Sequence, residues 1–515
     1  MRGLWCAGLA VVCGATALGS PLEVPGTAGR VEAGGYLDGL AVAPTEGGPR
    51  ERPQALLALS FAAALSDRLR GHLALQSAIG GPFEGGHPGV YDLVHAFQNR
   101  PIHLEASEAY AELRLDQADV LAGVQKVAWG KLDGLPPTDV VNPRDYHDPL
   151  VRDIEEAKIG VPMLQTTWYP PDLPRLGVSG LRATLVYLPI AVPSRLPLIE
   201  ERWFPPSATP LSQVVLPGRR AERLIREQCP GLPAMLPGDV VVPVSFRTLN
   251  HRPPKGFDDG GVGLRLGGSW REMDWDVYHY TGPETGPDAD LLATLRVKRF
   301  SLDPATRRLD LTLRAHAVLR QAHDVVHMTG ADWATTLRGA AIRAEAAVFQ
   351  DRAYPGVASD LIAPEAVGRL PLRPIVADLV KRRRAAVPLG DLFVTLDSVE
   401  WGVGADYLVH GFIPLLQMQQ TVLLEPAPRL LISDPETRFI ASVRRLLFQE
   451  RLELEVRGLY ALERGGWFVL PRASYRLGGN LRFRLGYLAL GGSRNTLVGQ
   501  FGNNDEVVMQ ARYTF

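Results

Sequence analysis

Apolar and polar residues alternate with a period of two through much of this chain, in runs of about ten residues. Glu108 to Leu115 sets Ala109, Ala111, Leu113 and Leu115 against Glu108, Tyr110, Glu112 and Arg114. Leu309 to Leu319 sets Leu309, Leu311, Leu313, Ala315 and Ala317 against Asp310, Thr312, Arg314 and His316. Glu450 to Tyr460 opposes Leu452, Leu454, Val456 and Tyr460 to Arg451, Glu453, Glu455 and Arg457. Asn480 to Ala489 opposes Leu481, Phe483, Leu485 and Tyr487 to Arg482 and Arg484. The closing residues repeat the pattern, with Val507, Met509, Ala511, Tyr513 and Phe515 on one face and Val508, Gln510, Arg512 and Thr514 on the other. Successive side chains of a strand point to opposite faces, so each run is a strand with one apolar and one polar face. About ten residues also carry a tilted strand across a bilayer. The pattern predicts an all-β fold, a transmembrane antiparallel β-barrel of about 16–18 strands with lipid outside and a polar lumen. A soluble sandwich alternates too. Aromatic residues near strand ends (Tyr36, Trp129, Trp168, Tyr169, Trp467, Tyr475, Tyr487 and Tyr513) favour the membrane, where a ring sits half buried at the interface.

Candidate strands, about nineteen by this pattern, fall near 31–41, 55–66, 69–79, 104–115, 118–129, 160–169, 178–188, 261–270, 273–281, 290–302, 308–320, 334–349, 395–410, 414–425, 436–446, 450–461, 466–476, 480–491 and 505–515. An odd total conflicts with the even number usual in single-chain bacterial barrels. It also leaves 352–393 on opposite sides of the membrane, depending on the end from which strands are counted. Polar turns such as Asp67-Arg68, Asp116-Gln117 and Asp303-Pro304-Ala305-Thr306 join hairpins. Four connections are long: 80–103, 130–159, 189–260 and 352–393. Within them, Leu211 to Gln228 has the spacing of a short helix, and 189–260 is the natural inward or plug-like segment. The basic run Lys381-Arg382-Arg383-Arg384 is either a solvated loop or a contact for lipopolysaccharide phosphates or a partner.

The N-terminus predicts a signal peptide over 1–19, with Arg2 as its charge, Leu4 to Val12 as its apolar stretch and Ala15-Thr16-Ala17 as a small-residue cleavage site. The barrel then occupies 20–515 as one domain, and export places it in the cell outer membrane. Loss of the leader removes Cys6 and Cys13 and leaves Cys229, which excludes an intramolecular disulfide and a Cys-rich metal site. With 55 basic and 56 acidic residues, the chain lacks the basic excess of a nucleic-acid binder. Gly 52 and Pro 42 suit many turns and long loops better than a helical bundle.

One block is distinctive. Glu108 to Met163 contains E-A-Y-A-E-L-R-L, G-V-Q-K-V-A-W-G-K-L-D-G, D-V-V-N-P-R-D and L-V-R-D-I-E-E-A-K-I-G-V-P-M-L. With G-V-G-A-D-Y at 402–407 and G-Q-F-G-N-N-D at 499–505, it resembles the proteobacterial outer-membrane family of domain of unknown function 1302. The resemblance spans most of the chain and is weakest over 189–260 and 352–393. It implies an outer-membrane barrel, a channel or export conduit distantly like the alginate-export and porin-type barrels. It also implies association with lipid-handling inner-membrane transporters, and hence a lead toward lipid-like cargo.

The residues of that block have their own chemistry. Trp129 suits a strand end at the interface, and Gly130 and Gly134 permit tight turns. Asp139, Asn142 and Pro143 are turn formers. Lys131, Asp133, Asp145, Arg152, Asp153, Glu155 and Glu156 put both signs of charge in one loop. Folded inward, these charges form a solute-selecting constriction; as salt bridges, they hold the loop rigid. Tyr513 and Phe515 form the C-terminal signal that barrel-assembly machinery reads in outer-membrane barrels. No catalytic or metal-binding spacing is present: the His residues show no H-E-x-x-H, and no G-x-S-x-G elbow occurs. Asp258-Asp259 beside two glycines reads as an exposed turn rather than a cation site. The reading is a non-enzymatic outer-membrane channel passing small or lipid-like solutes by diffusion, without cofactor, with outer-membrane lipid as its surroundings and no nucleic-acid partner. Two rivals stand beside it: a plugged, partner-binding barrel, and a lipid-modifying enzyme built around a His such as His316.

Overall fold

The computed structural model describes residues 22–23, 30–45, 53–80, 102–192, 260–286, 308–356, 393–426 and 430–515, with shorter stretches between them that include 194–195, 201–206, 213–216, 238–250, 288–303 and 381–391. The expected leader, Cys229, Asp258-Asp259 and most of the 80–103 connection lie outside the described residues.

In chain order the strands begin with β1 (Leu22–Glu23), β2 (Arg30–Pro44), β3 (Gln54–Ala64), β4 (Leu69–Ile79), β5 (Ile102–Arg114), β6 (Ala118–Gln125), β7 (Val161–Trp168) and β8 (Val178–Leu188). They continue with β9 (Gln213–Leu216), β10 (Val240–Asn250), β11 (Gly261–Trp270), β12 (Met273–Pro283), β13 (Asp288–Leu302), β14 (Leu309–Ala322), β15 (Val325–Leu337) and β16 (Ala340–Pro355). The last are β17 (Arg384–Asp391), β18 (Phe393–Tyr407), β19 (Phe412–Leu423), β20 (Glu436–Leu447), β21 (Leu452–Ala461), β22 (Trp467–Leu477), β23 (Leu481–Gly491) and β24 (Glu506–Thr514). Nineteen strands belong to one sheet. Apart from β1, an appendage on β2, they close into an 18-strand antiparallel barrel. The seam runs from Tyr36↔Thr514 to Pro44↔Glu506. Phe515 extends it, exchanging backbone hydrogen bonds of 2.9 and 3.0 Å with Gly35. Closure leaves no open edge, the only way a sheet can span a bilayer with its backbone paired.

The alternation behaves as predicted. Leu454, Val456, Phe483, Leu485 and Met509 lie bare on the outer wall, while Glu455, Arg472 and Arg512 turn inward. Connections between consecutive barrel strands alternate between short turns at one rim and long excursions at the other. The connection from Pro355 of β16 to Phe393 of β18 therefore leaves and rejoins the barrel at the long-loop rim.

Three of the expected strands are placed differently. Residues 334–349 are not one strand: a two-residue hairpin at Arg338 and Gly339, with φ of 50° and 86°, separates β15 from β16. Both residues sit in the left-handed region that this turn requires, and an arginine there gives no sequence signal. Residues 290–302 and 308–320 are not barrel strands. They are β13 and β14 of a second, five-stranded sheet ordered β17-β13-β14-β10-β9. The hairpin prolongs the barrel pair β12–β15 past the rim: pairing stops at Pro283↔Val325 and resumes at Asp288↔Ala322. β17 likewise runs almost directly into β18. In β14 the apolar face is covered, with Leu313 6% exposed against 56% for Leu485 on the barrel wall. Leu313 and Ala315 pack with Val240 and Val242. Within 211–228, strand β9 comes first and the described residues 218–219, 222–223 and 226 after it are helical, as expected there; 189–260 contributes β9 and β10 to this rim sheet. Part of 189–260 does enter the lumen, where Trp203 packs with the inward-facing Leu470 and Leu488 and Arg202 pairs with Glu506 at 2.9 Å; a second and longer inward segment lies between β6 and β7.

Candidate functional site: a loop across the lumen

Between β6 and β7 the chain leaves the wall, crosses the lumen and returns. Its base is held by Asn142. The side-chain Oδ1 accepts from Val127 N at 2.7 Å, and Nδ2 donates to Gln125 O at 3.1 Å and to Ile159 O at 2.9 Å. One amide thus ties the outgoing and returning strands together. Ile159 N donates to Pro143 O at 2.8 Å beside it. Asp139 accepts from Trp129 N at 3.3 Å and from Arg144 Nη2 at 2.8 Å, and pairs with Lys158 at 3.0 Å. Trp129 is 3% exposed and packs on Tyr278, with Val141, Ile159, Met328 and Phe349 in the same cluster. The expected interfacial position of Trp129 is therefore wrong. β6 ends at Gln125, and the ring anchors the loop against the inner wall, where Gly263 leaves room: a Cβ there would come 2.5 Å from the indole.

From this base two arms reach opposite walls. The first, Gly130 to Thr138, ends on β12, β15, β16, β18 and β19. The Glu345 carboxylate accepts from Lys131 N at 3.0 Å, Leu132 N at 3.4 Å, Thr138 N at 2.6 Å and Thr138 Oγ1 at 2.7 Å. Lys131 Nζ pairs with Asp276 at 2.9 Å and with Asp332. Asp276 also takes Arg182 at 2.8 Å and Arg265 at 2.9 Å. Asp133 meets Arg343 at 2.7 Å, which holds Asp406 at 2.6 Å. Gly130 makes its turn at φ 85°. Gly134 serves close approach rather than a turn: a Cβ would stand 2.5 Å from Ile440, and its N–H reaches Gln417 Oε1 at 3.2 Å.

The second arm, Val151 to Ala157, carries the one-turn helix Ile154–Ala157 and meets β2, β3 and β21 to β24. Arg152 donates to Gln54 Oε1 at 2.7 Å. Asp153 faces Arg472 at 3.4 Å, Arg457 at 3.7 Å and Arg484 at 4.0 Å. Burial would raise its carboxyl, but Arg472, Arg484 and Arg457 hold it below the usual carboxylate range. Glu156 pairs with Arg512 at 2.8 Å, and Arg512 with Asp38 at 2.9 Å. Beside this arm lies a cavity of about 440 Å³ whose lining includes Arg152, Glu155, Glu156, Arg472, Arg484 and Arg512.

The twelve loop residues singled out in the sequence thus divide. Trp129, Asp139, Asn142, Pro143 and Asp145 are buried and form the scaffold. Gly130, Lys131 and Gly134 dock the first arm. Asp133, Arg152, Asp153 and Glu155 keep access to the lumen. Their wall partners, Glu345, Asp276, Asp332, Arg343 and Arg472, carried no sequence signal beyond sitting on polar faces. Tyr513 and Phe515 stack at 6.3 Å beside the closing seam, away from the loop.

Asp145 and His147 make a buried pair at 2.6 Å, with Arg195 at 3.5 Å from Asp145. Burial alone would raise the Asp145 carboxyl, but His147 and Arg195 hold it far below its usual range. Burial would lower His147, yet Asp145 and Glu201 hold its imidazole above the usual value. The carboxylate contributes stability above about pH 4, lost as acid protonates it. The imidazolium contributes fully below about pH 6.5, lost as pH rises through its raised pKa. Heating folded barrels in detergent between pH 6 and pH 9 should therefore show falling unfolding temperatures. His147→Gln should flatten that slope, and an unaltered slope would remove His147 from this role.

The His316 rival gains a neighbour, since Ser245 Oγ lies 3.0 Å from His316 Nδ1. The pair is exposed on the rim sheet, the serine also donates to Ala315 O at 3.2 Å, and no carboxylate pairs with His316 among the described residues.

No known family profile matches the sequence, and no curated protein matches it. Solved structures are similar in fold. Acinetobacter baumannii OccAB4 aligns at a TM-score of 0.45 and 9% identity, over 95% of this chain and 98% of that one. Pseudomonas aeruginosa OccD3 (OpdP) gives 0.45 and 9%, over 97% and 96%. Salmonella typhi OmpF, in a complex with daunomycin, gives 0.38 and 10%, over 96% and 100%. The likeness is one of porin-like architecture alone.

Proposed function

We propose that this chain is an outer-membrane channel through which small polar solutes diffuse along the gap between the second arm of the lumen loop and the wall of β2 to β5 and β22 to β24. The observation that carries this reading is the charged cavity of about 440 Å³ left beside that arm. Barrels of this size enclose an aqueous lumen unless something fills it, and here the loop narrows it. Arg472, Arg484 and Arg512 stand on the wall, with Glu155 and Glu156 on the loop across from them. Opposed charges at a constriction orient a dipolar solute and discriminate by charge. The resemblance to the domain of unknown function 1302 family supports a lipid-like cargo, but guanidinium and carboxylate groups on the lining favour a polar one.

Single-channel recording in planar bilayers tests the reading. Steady conductance is expected from the purified protein. Glu155→Gln with Glu156→Gln should shift the reversal potential in a salt gradient toward anion preference, by at least about twofold in permeability ratio. Silence in every preparation of folded barrel would instead support the plugged reading, which the docking of both arms favours.

A further inference from the structure

The rim sheet carries a feature that permeation does not use. Arg384 on β17 pairs in register with Arg296 on β13, and Arg296 with Arg314 on β14. Three guanidinium-bearing positions thus stand side by side on adjacent strands, a row about 10 Å long at ordinary strand spacing. All three residues are exposed, and none has an acidic partner among the described residues. The neighbouring arginines Arg299 and Arg382 do find carboxylates, Asp310 at 3.4 Å and Asp378 at 3.7 Å. The next rung adds Thr294, His316 and Ser245, again in register. Like charges placed directly opposite on a sheet destabilise it, so the row opposes the folding of the sheet that bears it. A ligand with several negative charges at matching spacing would relieve that repulsion. The opposite face of the sheet is covered, with Val242, Leu313 and Ala315 buried, so the arginine face is the one open to a partner.

We infer that this row is a docking site for the phosphate groups of outer-leaflet lipopolysaccharide. Guanidinium forks bind phosphate in two-point fashion and stay charged at every relevant pH. The sheet grows from the long-loop rim, the side that faces outward in bacterial barrels. There the phosphorylated glycolipid surrounding the barrel is the polyanion held at high local concentration.

The test compares the full chain with the triple variant Arg296→Gln, Arg314→Gln, Arg384→Gln, and with Arg338→Gln, an exposed arginine on the short-turn rim. Binding of detergent-dispersed lipopolysaccharide to immobilised barrel should weaken at least about tenfold in the triple variant, with a shallower salt dependence, and stay unchanged in Arg338→Gln. Enzymatically dephosphorylated lipopolysaccharide should bind wild type no better than the triple variant binds the intact glycolipid. Without ligand, the triple variant should unfold at the same temperature as wild type or higher. Equal binding by wild type and triple variant would overturn the inference. So would wild-type binding indifferent to phosphate removal, a lowered unfolding temperature in the triple variant, or binding of inorganic polyphosphate without binding of the glycolipid.

Discussion

Replacing residues 130–156 with a short glycine-serine turn should raise single-channel conductance at least about threefold, because this segment is what crosses the bore. The ring itself should survive. Its closure depends on backbone pairing from β2 round to β24, and the excised residues contribute nothing to that ladder. The wall groups left behind, Glu345, Asp276 and Arg472 among them, would face water in the widened lumen and so escape the penalty of an unpaired buried charge. Heat-modifiable migration of the folded barrel on gels is the control for assembly. A correctly folded deletion with wild-type conductance would show that the bore is obstructed elsewhere.

Glu345→Ala should have the largest effect of any single substitution on the loop. One carboxylate accepts four hydrogen bonds from the first arm, three of them from backbone N–H groups of Lys131, Leu132 and Thr138. Hydrogen bonds to a charged group contribute about 1.5–3 kcal/mol each, and buried donors left without an acceptor add their own cost. Even one such contribution multiplies the undocked population more than about tenfold. The expected readout is frequent excursions to a higher conductance level and faster proteolysis within 130–138. Glu345→Gln keeps an acceptor oxygen and should fall between the variant and wild type. Quiet, wild-type traces from Glu345→Ala would show that Lys131 with Asp276 and Asp332 is sufficient to dock the arm.

The wall was legible in the sequence because a period of two states which face each residue takes, and lipid outside with charge inside is a strong contrast. Leu485 and Arg484 could be assigned to opposite faces from spacing alone. The same period misled at β13 and β14, since a covered sheet face and a lipid-facing one are written in the same residues; Leu313 and Leu485 differ only in what lies over them. Arg338 hid a hairpin because its backbone conformation is imposed by the flanking pairing. The loop could be located from its block of charges and turn formers. Its partners could not, because alternation fixes inside against outside but not the position around the ring. Nothing in the strand containing Glu345 shows that it faces Thr138. Asn142 and Asp139 read as turn residues, and their side chains proved to be spent on tying down the loop base.

The clamp at Asn142 has a mechanical consequence. Both arms spring from one fulcrum, where a single amide binds the outgoing strand to the returning one. A load on either arm is carried through that joint to the other, so the loop behaves as a rocker rather than as two separate flaps. Current fluctuations originating in it should accordingly be all-or-none, with one amplitude and one pair of rates.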